Sequence, residues 1–204
     1  FITGSGAQDR DQTIVGHKPF AVLADALAEV GVASIRCDER GVGGSTGEFP
    51  GATAHDFAAD AAAQVAFART LDEIDPDLVG LIGHSEGGIV APLVAAADGR
   101  IAFAVLLAAP GVPGRDVMLL QARLLFAQGG VGEEMLDQQE AAQAAFFDAL
   151  TERAPEDVLR ERILDLMEVQ MRATGGIPDR AQLEPMADRM LATQSGDWIR
   201  TYLV

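Results

Sequence analysis

The fold turns on residues 78–97, LVGLIGHSEGGIVAPLVAAA. An apolar run stops at Gly83-His84-Ser85-Glu86-Gly87-Gly88, and an apolar, Ala-rich segment follows at once. An unbroken apolar run such as 78–83 suits a strand covered on both faces, as in a parallel sheet. Residues 86–97 then read as a helix. Gly83-His84-Ser85-Glu86-Gly87 fits the pattern G-x-S-x-G, a very sharp strand-to-helix turn that holds a serine hydroxyl above the sheet edge. Only glycines leave room for the backbones that such a turn brings together. The helix that starts there points its free N–H groups and positive dipole end toward the serine, which favours developing negative charge. Ser85 is therefore the candidate nucleophile.

The pattern alone is weak, because Gly43-Gly44-Ser45-Thr46-Gly47 fits it too. Context separates the two. Ser45 sits inside the loop ERGVGGSTGEFPG, and the residues after it cannot open a helix. Nor does this loop read as a nucleotide site. Thr46 stands where G-x-G-x-x-G needs its third glycine, no Lys follows as in a phosphate-binding loop, and no helix N-terminus is at hand.

Working outward, strand and helix alternate through the first 112 residues. Residues 1–3 read as the end of a strand closed by Gly4-Ser5-Gly6. A helix from Pro19 places Phe20, Leu23, Leu27 and Val30 on one face and stops at Gly31. Strands are expected at 32–38 and 101–108, and a helix over 55–71 sets Phe57, Ala61, Val65, Ala68 and Leu71 in line. This alternation predicts a parallel, doubly wound α/β sheet with right-handed crossovers. From about 113 the strands vanish, and helices are expected at 114–128, 133–151, 155–173 and 179–193. The expected organisation is an α/β core over 1–112, a helical cap over 113–195, and a return to the core beginning in 196–204. Met118, Leu119, Leu120, Phe126, Phe146, Phe147, Met167 and Met171 could line an acyl-binding cavity in the cap; packing of helix on helix is the plainer reading of each.

Charge narrows the partners. The chain holds 31 acidic and 15 basic residues, a net charge of −16. Such a surface repels phosphate backbones and anionic lipid, so neither nucleic acid nor a membrane is an expected partner. No apolar stretch is long enough for a membrane helix. The single cysteine, Cys37, leaves no disulfide within the chain. The chain opens as though already inside a strand and stops at DWIRTYLV without a stop signal, so it is expected to be an internal piece of a longer protein. Oligomeric state and compartment are not legible in it.

Three segments in order, ITGSGAQDRD, RCDERGVGGSTG and LIGHSEGG, together with the helical block after them, resemble the bacterial α/β-hydrolases of the serine esterase and serine aminopeptidase type. The resemblance implies an incomplete α/β-hydrolase sheet with a helical cap insertion. It implies Ser85 as nucleophile, with the backbone N–H groups of Glu86 and Ser5 as oxyanion donors; such donors are commonly worth several kcal/mol of barrier. Gly4, Gly6, Gly83, Gly87 and Gly88 would support the loops, and His84 would be a packed neighbour at the variable elbow position. Asp38 and Arg40 would shape the loop beside the site, and Asp9, Arg10 and Asp11 would flank the pocket or lie in a solvated loop. The Glu86 carboxylate, unwelcome at an oxyanion site, is expected to turn away and meet Arg10 or Arg40. No metal or cofactor is implied.

In this superfamily the triad runs Ser, acid, His, and the hydroxyl attacks only when an imidazole takes its proton. The three histidines, His17, His55 and His84, all precede Ser85. Asp116 and Asp137, in the helical block, fit poorly as the acid. The acid and the His are therefore expected beyond Val204, and the fragment is expected to be inactive alone. In the implied fold the strands order as 32–38, 1–4, 78–83, 101–108, with both sheet edges open and prone to association. The leading expectation is hydrolysis of a small carboxylic ester or short acyl or peptidyl substrate through an acyl-serine. An aminopeptidase or acyl-peptide hydrolase of the same fold is the nearest rival, and a non-catalytic binding module the third reading.

Overall fold

The computed structural model describes residues 1–194 and 196–204. The chain divides into two compact units, residues 1–111 and 112–204.

The first unit carries α1 (Pro19–Glu29), α2 (Ala54–Ala68), β1 (Leu81–His84), α3 (Gly87–Ala97) and β2 (Ala104–Leu107). β1 and β2 pair in parallel, Leu81 opposite Ala104 through His84 opposite Leu107, with α3 as the crossover. On the other side of β1, Ile2 forms a parallel bridge with Gly83: the Ile2 N–H reaches Ile82 O at 2.8 Å and the His84 N–H reaches Ile2 O at 3.0 Å. The Phe1 amino group donates to Ile35 O at 2.9 Å. The backbones therefore lie in the expected order, but only the two inner segments form a regular ladder. Residues 1–4 contribute a single bridge, and 32–38 stay outside the ladder, because a strand exists only through the partners it hydrogen-bonds.

Under the sheet, α2 and α3 bury Ala61, Val65, Val90, Ala91 and Val94 against Leu81. The α2 face agrees with the four-and-three spacing of its apolar residues. Its start is fixed by a capping box in which the Thr53 N–H donates to Asp56 Oδ2 at 2.8 Å and Thr53 Oγ1 accepts from the Asp56 N–H, an arrangement worth about 1 kcal/mol. The α1 face differs from expectation. Phe20 and Ala24 are buried while Leu23 and Val30 are exposed. The neighbour of α1 touches a narrower stripe than the apolar residues cover; Phe20 packs on Phe1 with the rings tilted and their centroids 4.9 Å apart.

The second unit is helical: α4 (Gly114–Gln128), α5 (Glu133–Thr151), α6 (Glu156–Ala173), α7 (Arg180–Gln194) and α8 (Asp197–Leu203). The first four match the expected spans to within a residue or so. Its core joins Leu119, Phe146, Phe147, Leu150, Ile163 and Leu164 with Leu183 and Ala187. Of the side chains considered for an acyl cavity, Leu119, Phe146 and Phe147 are buried in this core, Met118, Met167 and Met171 pack on it, and Leu120 is exposed. Residues 197–203, expected to begin a return to the α/β layer, are the helix α8, with Ile199 and Leu203 buried in the same helical core. No helix among the described residues is long and apolar enough to cross a membrane.

Candidate active site

The site is built where β1 ends. Ser85 follows the last β1 residue with φ +53°, a left-handed conformation that costs a side-chain-bearing residue about 1–2 kcal/mol. Its N–H prolongs the ladder to Leu107 O at 2.9 Å, while its C=O already accepts the Gly88 N–H at 2.8 Å. Glu86 is helical and caps α3. Strand becomes helix within two residues, and the glycines have a steric reason. A Cβ on Gly83 would stand 2.1 Å from Gly87 O, and one on Gly87 would stand 2.3 Å from Ile2 O. Gly88 is pressed likewise against Ala109. Any side chain at these positions would push the elbow off the strand.

The Gly4-Ser5-Gly6 loop sits against the elbow. A Cβ on Gly4 would lie 3.1 Å from both Ser85 Cβ and His84 Nδ1. Gly4 is buried and Ser5 exposed. Gly6 turns the loop with φ +94°, and Gln8 Nε2 donates to Ser5 O at 3.0 Å. Among the described residues neither the Ser5 N–H nor Ser85 Oγ has a hydrogen-bond partner. Among the described residues no imidazole is hydrogen-bonded to Ser85 Oγ: His17 closes a short turn with Ile14, His55 lies in the first turn of α2, and His84 Nδ1 lies 2.7 Å from Gln12 Nε2.

Gln12 was not legible as part of the site. It is buried, with φ +51°, and its Oε1 accepts the Gly4 N–H at 3.1 Å. The contact to His84 spans 72 positions, and a lone glutamine carries no motif that would announce it.

The loops behind the site are held by ion pairs. Arg10 grips Asp38 through Nε at 3.0 Å and a terminal nitrogen at 2.8 Å, and Asp38 also accepts the N–H groups of Arg10 and Gly44. The Arg10 side chain, followed by these backbone donors, holds the Asp38 carboxyl far below the usual carboxylate range. Arg40 reaches across to α2, binding Asp60 at 2.7 and 2.9 Å. Asp9 accepts from Thr13 and Asp11, and Asp11 pairs with Arg36 and Lys18. Ser45, in the second G-x-S-x-G match, donates to Asp38 O at 2.7 Å and so locks its loop.

Arg10 and Arg40, the cations expected near Glu86, pair with Asp38 and with Asp60 and Asp56. Glu86 is buried in the wall of a cleft of about 410 Å3, shared with Thr3, Gly4, Glu39, Asp60 and Phe57. Glu39 accepts from Thr3 Oγ1 and from the Gln8 N–H at 3.1 Å. Burial pushes the Glu39 carboxyl up to about 7, against the pull of those two hydrogen bonds, and the charges of Glu86 and Asp60 add to the rise.

A parallel α/β layer with a strained serine between strand and helix defines an α/β-hydrolase. The sequence matches the family described as Serine aminopeptidase, S33, over residues 17–146, which is more than half of the chain and includes the elbow. The chain belongs to that family and is a hydrolase of the α/β-hydrolase type. No curated protein matches it.

Proposed function

We propose that Ser85 Oγ attacks the carbonyl carbon of a small carboxylic ester, expelling the alcohol and leaving an acyl-Ser85 that water hydrolyses to the acid. The observation that carries this reading is the left-handed Ser85, φ +53°, at the strand-to-helix junction; strain of this kind persists where the surrounding structure over-determines it, as at reacting groups. The N–H groups of Glu86 and Ser5 would receive the oxyanion. The step needs an imidazole that takes the serine proton and returns it to the leaving alkoxide. None among the described residues meets Ser85, so residues 1–204 by themselves are expected to acylate very slowly.

The second reading, removal of an amino-terminal residue, follows the name of the family. A substrate ammonium would need an uncommitted carboxylate. Three carboxylates of the cleft are already engaged, Asp38 with Arg10, Asp60 with Arg40, and Glu39 with Thr3 and Gln8, and the substrate comparison below decides between the two readings.

The test uses the protein as its gene encodes it. A fluorophosphonate should label the peptide containing Ser85 and leave Ser85→Ala unlabelled. p-Nitrophenyl esters should then be cleaved with higher kcat/KM than aminoacyl p-nitroanilides. The opposite preference would establish the aminopeptidase reading, and absence of labelling would remove catalysis.

A further inference from the structure

We infer that Gln12 is a positioning residue for the hydrolysis, because its one carboxamide ties the oxyanion loop to the nucleophile elbow. The inference rests on the proposed acyl-serine chemistry. The donors proposed for the oxyanion are the N–H groups of residues 5 and 86, and Gln12 holds the residue next to the first and a residue two before the second. Gln12 Oε1 takes the Gly4 N–H at 3.1 Å, and Gln12 Nε2 lies 2.7 Å from His84 Nδ1. There is no slack between the two segments, since the Gly4 Cβ position lies 3.1 Å from both His84 Nδ1 and Ser85 Cβ. Gln12 itself is 2 % exposed, and its own N–H is fixed on Asp9 O at 2.9 Å.

The chemistry of the three groups fixes the direction of both bonds. A backbone N–H only donates, so the amide oxygen must face Gly4. The amide NH2 also only donates, so the nitrogen it meets on His84 must be bare. The neutral ring therefore carries its proton on Nε2. Turning the amide over would set its NH2 against the Gly4 N–H and leave two donors facing each other. The Gly4 backbone thus dictates the tautomer of a histidine eighty positions later in the chain, through one side chain.

Two substitutions separate the tie from simple filling of space. Gln12→Leu keeps the bulk and removes both bonds. Gln12→Glu is isosteric, still accepts the Gly4 N–H, and accepts from His84 once the ring carries its proton on Nδ1. Removing one oxyanion donor outright costs about 100- to 1000-fold in kcat; a displaced donor should cost less. Gln12→Leu is expected to lower kcat for a p-nitrophenyl ester about 10- to 100-fold, with KM changed less than about threefold, and Gln12→Glu is expected to recover most of that loss. The second readout is the tautomer, followed by long-range 1H–15N NMR of histidine-labelled protein. His84 should show a bare Nδ1 in the parent protein and a protonated Nδ1 in Gln12→Glu.

A parent protein with a protonated Nδ1 overturns the inference. So does a folded Gln12→Leu that keeps kcat within twofold, or one that loses activity through KM alone. If Gln12→Leu does not fold, the tautomer of Gln12→Glu decides. A parent protein that hydrolyses no ester fails the functional proposal instead, and the tautomer readout still judges the tie.

Discussion

Replacing Glu39 with Gln should make the first unit more stable at alkaline pH and leave it nearly unchanged in mild acid. Glu39 is half-buried at the cleft below the elbow, with its carboxyl raised from 4.5 to about 7 by burial first and by the charges of Glu86 and Asp60. The folded protein therefore holds this proton more tightly than the unfolded chain. Between about pH 4.5 and 7 the folded state binds more protons than the unfolded one, so stability must fall as pH rises through that window and level off above it. At about 1.4 kcal/mol per pH unit, the full span is about 3 kcal/mol. Solvent reaches part of the carboxylate, which cuts this to about 1–2 kcal/mol. Glutamine has the same shape and keeps both contacts, its oxygen taking the Gln8 N–H and its NH2 donating to a reversed Thr3 hydroxyl. It has no proton to lose. The one tryptophan, Trp198, lies in the helical unit, so the assay is amide hydrogen exchange in α2 and α3 at several pH values, in parent and Glu39→Gln. The expected difference is near zero at pH 4.5 and about 1–2 kcal/mol in favour of the variant at pH 8. A difference that stays constant across this range would refute the reasoning.

Gly83→Ala should destabilise the first unit by about 3 kcal/mol or more, because the new methyl would stand 2.1 Å from Gly87 O; thermal unfolding and soluble yield check it. Ser85→Gly should instead stabilise by about 0.5–1 kcal/mol, the relief of a left-handed side-chain residue less the entropy cost of glycine, while fluorophosphonate labelling disappears; a loss of stability in denaturant unfolding would show that the elbow is unstrained. In the helical unit Gln139 Oε1 is buried with no hydrogen-bond partner among the described residues, while Gln139 Nε2 donates to Gln143 Oε1 at 2.7 Å. Gln139→Met alone should cost about 1 kcal/mol by orphaning Gln143, and Gln139→Met with Gln143→Met should recover or exceed the parent stability, as read from Trp198 fluorescence in urea. Phe103 just before β2 and Val105 and Leu106 within it are exposed, so residues 1–204 should self-associate as concentration rises, and Val105→Lys should reduce this in light scattering.

Local signals were legible in the sequence and distant pairings were not. The helical spans could be read because Gly129-Gly130, Ala154-Pro155 and the Gly-Pro stretch before Arg180 punctuate them, and a helix satisfies its own backbone. The elbow was legible for the same reason: the clash between positions 83 and 87 is a four-residue matter. Residues 32–38 have the composition of a strand, yet a strand is defined by neighbours that composition does not name. The partners of Arg10 and Arg40 were illegible for a related reason. Arg10 and Arg40 were each within plausible reach of several carboxylates, and the sequence does not rank Asp38 or Asp60 above Glu86. Gln12 lay furthest from legibility, since its role consists wholly of contacts to positions 4 and 84.

The strain at Ser85 is held in place mostly by groups that no substitution alters. The His84 N–H on Ile2 O, the Ser85 N–H on Leu107 O and the Gly88 N–H on Ser85 O are all backbone bonds, so the turn rests on the main chain, provided positions 83, 87 and 88 carry no side chain. The loop proposed to hold the oxyanion lacks that protection. Beyond the bridge at Ile2, a side chain, Gln12, links it to the elbow. The Ser85 turn is thus fixed by the sheet, whereas the spacing between Ser85 and the proposed oxyanion donors depends also on one replaceable amide. Substitutions at position 12 should therefore slow acylation while Ser85 keeps its left-handed turn, and substitutions at 83 or 87 should disturb the turn itself.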